Sequence, residues 1–372
     1  MTHLSYAALA AGLVALALAV DVPLSAGART GHGAPVRRGP HTSAQQPRHN
    51  LYHVDIGVDT TVAALSVYKY VPDHLTIHSG DSVEWTNAVP AEPQTVTFGP
   101  LEAAVPLVVR NDVFEINSRV VRPSGGHVVG DVTAHTYSSG ALMQGIAGLS
   151  NSYRFRFDTP GIYIYRSLFH PDSQGEIDVA PTSKPASPLH PDRGASMFDA
   201  LRSASQALAS EQAGDTGAAA NSGNNGGIGI AVGSGNGDVS LNTFSPAGVT
   251  VRAGTTITWT VHETSGDPHV LVFNPTDADR AGPRFYVGLS SSGALQTNPA
   301  YGARTQIQGM AVTTGTVPAG GRIVSDILYG SSANAQAVTY TSYSLRFDLP
   351  GFYYYIDPFH ADMAGAVYVL PN

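Results

Sequence analysis

Three side chains near the end of the chain have the types and the spacing of metal ligands. Asp357, His360 and Met363 follow one another at intervals of three within residues 351–369, between two runs with the period-2 spacing of strands: Tyr353 and Tyr355 in the first, and residues 366–369, which resume the pattern, in the second. This alternation predicts two strands, so the three side chains belong to a short loop that both strands hold in place. A carboxylate, an imidazole and a thioether in one such loop predict a metal site.

The same frame of residues occurs once earlier in the chain. Residues 161–179 share with residues 351–369 an opening glycine, two tyrosines at alternate positions, a histidine and a second glycine, all at a constant offset. The loop of this first copy keeps the histidine, His170, and has serines, Ser167 and Ser173, at the other two positions. The repeat indicates two related units, of which only the second keeps the three potential ligands.

Length and composition favour an all-β protein. The 372 residues suffice for two hydrophobic cores, and the chain has 40 Gly, 25 Pro and only 13% charged residues. Short runs rich in Val, Thr and Tyr are typical of strands separated by turns. The net charge of −8 argues against nucleic acid as a partner and against electrostatic attachment to an anionic membrane. Cysteine is absent, which excludes disulfides and all thiolate chemistry.

Residues 1–28 are predicted to be a secretory signal peptide. Residues 7–20 are an uninterrupted apolar run, too short to span a bilayer comfortably, and small residues suited to cleavage lie near its end (residues 17–19) and after it (residues 26–28). An uncut membrane anchor is the alternative. Export would place the protein outside the cell or in the cell envelope, with no membrane span after cleavage. Residues 29–50, rich in Pro, Gly, Arg and His, are interpreted as a disordered spacer.

Each copy of the repeat predicts one domain, the first over residues 51–180 and the second over residues 228–372. Both begin with a strand interrupted by proline, a glycine turn and a strand that carries tryptophan. Residues 181–227 are rich in proline, then alanine, then glycine and asparagine, which predicts a flexible linker with one short helix. The long middle segments, residues 101–150 and 276–339, could carry recognition as loops on a rigid sandwich.

These blocks resemble the plastocyanin-like cupredoxins, the blue copper proteins. The likeness lies in the Pro–strand–Gly–strand–Trp opening, a histidine at the start of the following strand, and the closing loop with its Gly-x-Tyr-x-Tyr frame. The resemblance implies a Greek-key β-sandwich in each copy. It also implies a copper site made of two histidines, a cysteine and a weakly bound axial methionine, which family members use to carry electrons.

The family's ligand positions fall on His269, Asp357, His360 and Met363 in the second copy, so Asp357 stands where the family has cysteine. Two imidazoles and a carboxylate can bind Cu(II), Zn(II) or Ni(II), and the Irving–Williams order favours copper. The carboxylate is a hard, charged ligand that favours Cu(II) over Cu(I). We therefore expect copper (Cu²⁺) in the second domain only, no blue-copper centre, and no fast electron transfer.

The first copy is expected to be a metal-free structural or interaction module. Gln94 replaces the first histidine, and Ser167 and Ser173 replace the cysteine and the methionine, which leaves only His170. Three further residues that precede the second copy's first histidine could add ligands or merely solvate a loop: His262, Glu263 and Asp267.

Other functions stay open at this point. His269 and His360 could hydrogen-bond to Asp357 without any metal, with Met363 filling the core beside Phe359, and both domains would then be scaffolds or partner-binding modules. A weaker alternative is an accessory subunit of a copper redox system. A redox protein or a cell-surface protein is the expected kind of partner. The chain carries no motif of a familiar catalytic class, so an enzyme is not expected.

Overall fold

The computed structural model describes residues 49–59, 64–89, 92–100, 107–110, 113–116, 128–129, 132, 135–170, 172–189, 198, 201–202, 206, 228–236, 239–261, 267–281, 287–289, 295–297, 312–313, 321–325, 327–330, 341–360 and 362–372. The predicted signal peptide and nearly all of the predicted spacer lie outside these ranges. In the described part of the chain, no helix has the length and apolarity needed to cross a membrane.

Nearly all described elements are strands, as expected for an all-β protein. The first copy contains β1 (Leu51–Asp59), β2 (Leu65–Val71), β3 (His74–His78), β4 (Ser82–Asn87), β5 (Thr97–Phe98), β6 (Leu107–Arg110), β7 (Val113–Ile116), β8 (Val128–Val129), β9 (Tyr137–Ser138), β10 (Ser152–Phe157), β11 (Gly161–Arg166) and β12 (Gln174–Ala180).

The second copy contains β13 (Ile228–Asn236), β14 (Val239–Ser245), β15 (Gly248–Arg252), β16 (Thr255–Val261), β17 (Pro268–His269), β18 (Val272–Phe273), helix α1 (Asp277–Arg280), β19 (Val287–Leu289), β20 (Leu295–Thr297), β21 (Val312–Thr313), β22 (Ile323–Val324), β23 (Leu328–Tyr329), β24 (Ser342–Phe347), β25 (Gly351–Ile356) and β26 (Ala364–Leu370). The helix was not predicted. Thr276 caps it, in a reciprocal capping box with Asp279.

Each copy packs two layers of strands against each other. In the first copy, β2, β1, β4 and β10 form one layer, and the sheet β3-β12-β11-β5-β9 forms the other. In the second copy, β14, β13, β16 and β24 pack against the sheet β15-β26-β25-β18-β22. The order of strands in the second copy repeats that of the first. The predicted β-sandwich architecture is confirmed.

We call residues 167–173 of the first copy and residues 357–363 of the second the ligand loops. An aromatic core packs against the strand that leads into each of them. Trp85 in the first copy and Trp259 in the second are fully buried. Each packs edge-on against the second tyrosine of the repeated frame, Tyr165 at 5.2 Å and Tyr355 at 5.4 Å between ring centroids. The period-2 alternation of the frame therefore places one tyrosine in the core just before the loop begins.

One ten-stranded sheet runs through both copies, in the order β21-β24-β16-β13-β14-β2-β1-β4-β10-β8. At its centre β14 and β2 are antiparallel, and Val239 lies opposite Val67. The contacts do not separate the copies, since residues 49–372 form one compact unit. The division into two domains with stated boundaries stays a prediction.

Part of the predicted linker lies within the described residues. The Thr76 backbone N–H donates to the Ser187 hydroxyl at 2.9 Å, and the Ser187 N–H donates to the Thr76 carbonyl at 2.7 Å, which ties this segment to the edge strand β3. Leu201, which is helical, packs on the small apolar cluster that contains Val67 and Val239. The described linker residues thus make two contacts: Ser187 binds the edge strand β3 of the first copy, and Leu201 packs near the β2–β14 pair at the centre of the ten-stranded sheet.

A second apolar cluster joins the ends of the sandwiches that carry the ligand loops. It combines residues of both copies: buried Ala141, Met143, Val270, Val272, Ile327, Tyr329, Ile356 and Phe359, with Leu168 and Phe169 packed against them. We call this set the inter-copy cluster. Because both ligand loops contribute to it, the two loop-bearing ends face each other.

Candidate metal site

The ligand loop of the second copy is tied at both ends. Asp357 directly follows β25, and its N–H donates to the Met363 carbonyl at 2.9 Å. Within the loop the N–H of His360 donates to Asp357 and that of Met363 to His360, both at 3.3 Å, which makes two successive turns. The Asp357 carboxylate accepts the Phe359 N–H at 2.9 Å. The backbone of the loop therefore fixes the direction of this carboxylate.

His269 reaches the loop from another strand. It ends β17, where it lies opposite Leu328 of β23, and it is fully buried. The oxygen Oδ2 of Asp357 lies 2.8 Å from Nδ1 of His269 and 2.9 Å from Nδ1 of His360. The side chains of His269 and Asp357 are wholly inaccessible, and that of His360 is 5% exposed. Three of the residues singled out in the sequence thus meet at one buried point.

Met363 lies beside two of these residues, Asp357 and His360. It is buried in the apolar core of the second sandwich. With Asp357 and His360 it lines a cavity of about 270 Å³. This position agrees with both roles considered for it in the sequence, a weak axial ligand and a core side chain.

The cavity next to the site has a polar far wall formed by α1. Asp279 and Arg280 lie on that wall, and the Arg280 guanidinium stands 5.3 Å from the centre of the Tyr354 ring. Partial burial would raise the pKa of Asp279, but hydrogen bonds from Arg322 and Thr276 lower it to about 2. Asp279 is therefore ionised at neutral pH and lines the cavity as a carboxylate.

In the metal-free site, the pKa values of His360 and Asp357 are shifted in opposite directions, which favours protonated His360 and ionised Asp357. Burial by itself would lower the pKa of His360, but the carboxylates of Asp357 and Asp267 outweigh it and raise that pKa well above its usual value. Burial would likewise raise the pKa of Asp357, and the charge on His360 and the hydrogen bonds of His269 and His360 lower it. Without metal, the site is an aspartate–imidazolium pair, and a cation must displace a proton to bind.

A second buried carboxylate, Asp267, lies on the other side of the His360 ring. Its Oδ2 atom is 3.6 Å from Nε2 of His360, and it accepts a hydrogen bond from the Tyr68 hydroxyl of the first copy. Asp267 is fully buried, which agrees with the first of the two roles considered for it, an added ligand, and not with the second, a residue that solvates a loop. The other two residues weighed with it, His262 and Glu263, lie outside the described residues.

The first copy forms the same loop without the same ligands. The four side chains at the ligand positions are buried: Gln94, Ser167, His170 and Ser173. The Ser167 hydroxyl accepts the Phe169 N–H at 3.3 Å, as Asp357 accepts that of Phe359. The ring of His170 stacks on the ring of Tyr68, with centroids 3.8 Å apart. Among the described residues, His170 belongs to no group of three potential metal ligands.

Sequence reasoning missed Glu92 and Tyr68 of the first copy. Glu92 is buried, and its carboxylate lies within 4.8 Å of the ligand atoms of Asp267 and His360. A signal for it was present, because Glu92 and Asp267 occupy the same place in the repeat, each followed by proline and then by the first ligand position. Nothing in the sequence indicated that the two acidic residues would meet.

No protein-family model matches the sequence, and no curated protein matches it. Among solved structures, the chain is similar to a mutant plastocyanin of fern, with 17% identity over 34% of this chain and 99% of that one and a TM-score of 0.22. It is also similar to a purple cupredoxin from Nitrosopumilus maritimus (19% identity, 35% and 99% covered, TM-score 0.21) and to an amicyanin from Paracoccus versutus (16% identity, 41% and 88% covered, TM-score 0.21). The sandwich assignment rests on the strand order and the packing described above.

Proposed function

We propose that this is an exported protein that binds a divalent cation, above all Cu(II), through His269, Asp357 and His360, with Met363 as a weak fourth ligand. The observation that carries the proposal is the convergence of two Nδ1 atoms on one carboxylate oxygen in a fully buried place. Binding, and not catalysis, is the role proposed. The first copy supplies structure around the site and holds no metal at its own ligand positions.

The spacing of the donor atoms supports coordination by one ion. Two ligands that lie about 2.0–2.1 Å from an ion, at a right angle to each other, are about 2.9 Å apart. The distances from Asp357 to His269 and His360 are 2.8 and 2.9 Å. A cation that replaces the shared protons therefore requires only small side-chain movements.

The chemistry of the donors favours Cu(II) and disfavours rapid redox cycling. Imidazole suits Cu(II), Zn(II) and Ni(II), and copper is the strongest binder among them in the Irving–Williams order. The Asp357 carboxylate stabilises the divalent state, whereas Cu(I) prefers the soft thiolate that this chain lacks. The side chain of His360 is 5% exposed, so little of the ligand edge is open to an electron-transfer partner.

Copper titration of the purified full chain tests the proposal. We expect His269→Asn to weaken Cu(II) binding by at least about 100-fold, because even outer-shell losses cost metal sites 10- to 100-fold. The matched control is Asp362→Asn, since Asp362 is an exposed carboxylate in the same loop. Its positive φ of 63° is a conformation that asparagine tolerates. Equal copper affinity in the wild type and His269→Asn would contradict the proposal.

A metal-free scaffold is the second candidate function. It is favoured by the same distances, which are also those of ordinary hydrogen bonds from two imidazoles to Asp357. Apolar side chains at equivalent positions of the two copies, Ile162 and Phe352, are 64% and 66% exposed and offer a surface to a protein partner. Negligible copper uptake by the wild type would leave this candidate standing.

A further inference from the structure

We infer that a second divalent cation binds between the two copies, held by Glu92 of the first copy and by Asp267 and His360 of the second. The His360 ring would then bridge two ions, one at each ring nitrogen. The inference rests on the proposed function to the extent that both sites share His360. It adds a second site with two further ligands, Glu92 and Asp267, at the place where the two copies face each other.

The ring of His360 presents its two nitrogens to different carboxylates. Nδ1 lies 2.9 Å from Asp357, whereas Nε2 lies 3.6 Å from Oδ2 of Asp267. Nε2 is buried and makes no hydrogen bond with the described residues. A separation of 3.6 Å is too long for a hydrogen bond, and it is close to the spacing of about 3.4 Å expected for two ligands in a tetrahedral site.

The repeat supplies the third ligand. Glu92 and Asp267 are equivalent residues, each two positions before the first ligand position of its copy. Because the loop-bearing ends face each other, the carboxylate oxygens of both and a ring nitrogen of His360 lie within 4.8 Å of one another. The three residues are 4%, 0% and 7% exposed.

The charge of this region also favours a cation. Three buried carboxyl groups, those of Glu92, Asp267 and Asp357, surround one imidazole ring. Buried charges are tolerated when they are paired or coordinate a metal. The Tyr68 hydroxyl donates to Asp267, and such outer hydrogen bonds orient carboxylate ligands.

The donor set indicates a first-row divalent cation. Two carboxylates and one imidazole suit Cu(II) or Zn(II), and they make this site harder than the first. With a ligand bond at each ring nitrogen, the His360 ring would carry no N–H proton: it would bridge the two ions as an imidazolate, and the protons it held would pass to solvent. Two Cu(II) ions joined by such a ring are magnetically coupled, so their combined paramagnetic resonance signal is weaker than that of two isolated ions.

Equilibrium dialysis of the full chain against CuCl₂ tests the inference. We expect two copper ions per chain in the wild type, one in Glu92→Gln and one in His269→Asn. The matched control is Glu176→Gln, whose side chain is 37% exposed and which should keep both ions. The resonance signal of the wild type with two ions should fall below twice that of either single-site variant.

The outcomes separate the two proposals. A single copper ion in the wild type, lost in His269→Asn and kept in Glu92→Gln, would overturn the second site and leave the proposed function intact. A single ion lost in Glu92→Gln and kept in His269→Asn would overturn the proposed function and support the second site. Two ions with full, uncoupled signal in the wild type would overturn the shared ring, and this measurement needs no variant to fold.

Discussion

At the scale of single residues, Asp357 decides what kind of site the second copy has. It accepts hydrogen bonds from two imidazoles and from a backbone N–H of its own loop, so it orients His269 and His360 while carrying a charge. A thiolate at this position would be a softer ligand and a weaker hydrogen-bond acceptor. With the carboxylate at this position the donor set is hard and charged, and three hydrogen bonds fix its direction.

Replacing Asp357 by cysteine should give the copper-loaded chain a visible absorption band that the proposed wild-type donor set would not produce. We expect Asp357→Cys with Cu(II) to develop an intense visible absorption, because a thiolate bound to Cu(II) in a two-histidine site produces it. The wild type should show only weak absorption. The control is Ser167→Cys at the equivalent position of the first copy, where Gln94 replaces a histidine and no such band should form. Visible spectra during titration provide the measurement, and colourless, copper-loaded Asp357→Cys would contradict the prediction.

The raised pKa of His360 predicts how the stability of the metal-free protein depends on pH. Its folded-state pKa lies above the unfolded value of about 6.5, so between these two values the folded form binds more protons. The free energy of unfolding of the metal-free protein should then be highest below pH 6.5 and fall as the pH rises toward the raised pKa, by up to about 1.4 kcal/mol per pH unit. The lowered pKa of Asp357 contributes stability that is lost only in acid, as the pH falls through that pKa.

Urea denaturation between about pH 6 and about pH 9 measures this loss. His360→Gln should remove the alkaline decline, because glutamine does not titrate. His74→Gln is the control, since the His74 side chain is 53% exposed, and its pH profile should match that of the wild type. An unchanged alkaline slope in His360→Gln would show that another group is responsible.

At the scale of elements, the ligand loop is positioned by the strands on either side of it. β25 brings Tyr355 into the core two residues before Asp357, and β26 begins directly after Met363. Gly365 lies opposite Tyr355 in the pairing of these strands. The tyrosine ring covers the glycine so closely that a side chain there has no room.

Gly365→Ala should destabilise the protein by about 1–3 kcal/mol, the usual cost of overpacking a core. The new Cβ atom would lie 2.3 Å from the Cζ atom of Tyr355, whose ring is fully buried against Trp259 and cannot withdraw. Gly248→Ala is the control, because its Cβ would meet only the Ala366 carbonyl oxygen, at 4.0 Å. Its effect should stay within about 0.5 kcal/mol. Equal urea midpoints for the two variants would contradict this account.

At the scale of the whole molecule, the two copies are joined at a sheet and at their loops. The ten-stranded sheet passes from one copy to the other through β2 and β14, and the inter-copy cluster closes the second contact. Tyr68 adds a polar link by donating to Asp267. The candidate site of the second copy is therefore enclosed partly by the first.

This arrangement predicts that residues 49–372 unfold as one cooperative unit. Apolar residues shared between the copies would be exposed if either sandwich unfolded alone, which disfavours a half-folded state. Calorimetry of the metal-free chain should show one transition whose van't Hoff and calorimetric enthalpies agree. Two resolved transitions would support the independent domains and flexible linker that the sequence suggests.

Much of the fold was predictable because it depends on local patterns. The alternation around Tyr353 and Tyr355 predicted β25, and the repeated glycines and prolines predicted the turns between strands. The helix α1 was not predictable from periodicity, because four residues are too few to show it. Its stability comes from the capping box and from the pairing of Asp279 with Arg322, a residue distant in sequence.

The candidate site was predictable in part for the same reason. Asp357, His360 and Met363 lie in one loop, and His269 was assigned from the resemblance to the cupredoxin pattern, in which a histidine starts the strand after the tryptophan strand. Glu92 and Tyr68 could not be assigned, since their approach to Asp267 depends on how the two copies pack. Contacts between residues that are distant in sequence produce no repeating pattern from which a single sequence could predict them.

By itself, the sequence determined the strands, the repeat, the absence of a thiolate and the residues that could serve as ligands. These follow from side-chain chemistry and short-range spacing, which each residue carries wherever the chain folds. Only the tertiary structure decided that the two loop-bearing ends meet and that His360 lies between Asp357 and Asp267. The reason is physical: which apolar surfaces cover each other depends on the shape of the whole molecule, and buried charges acquire partners only once that packing is complete.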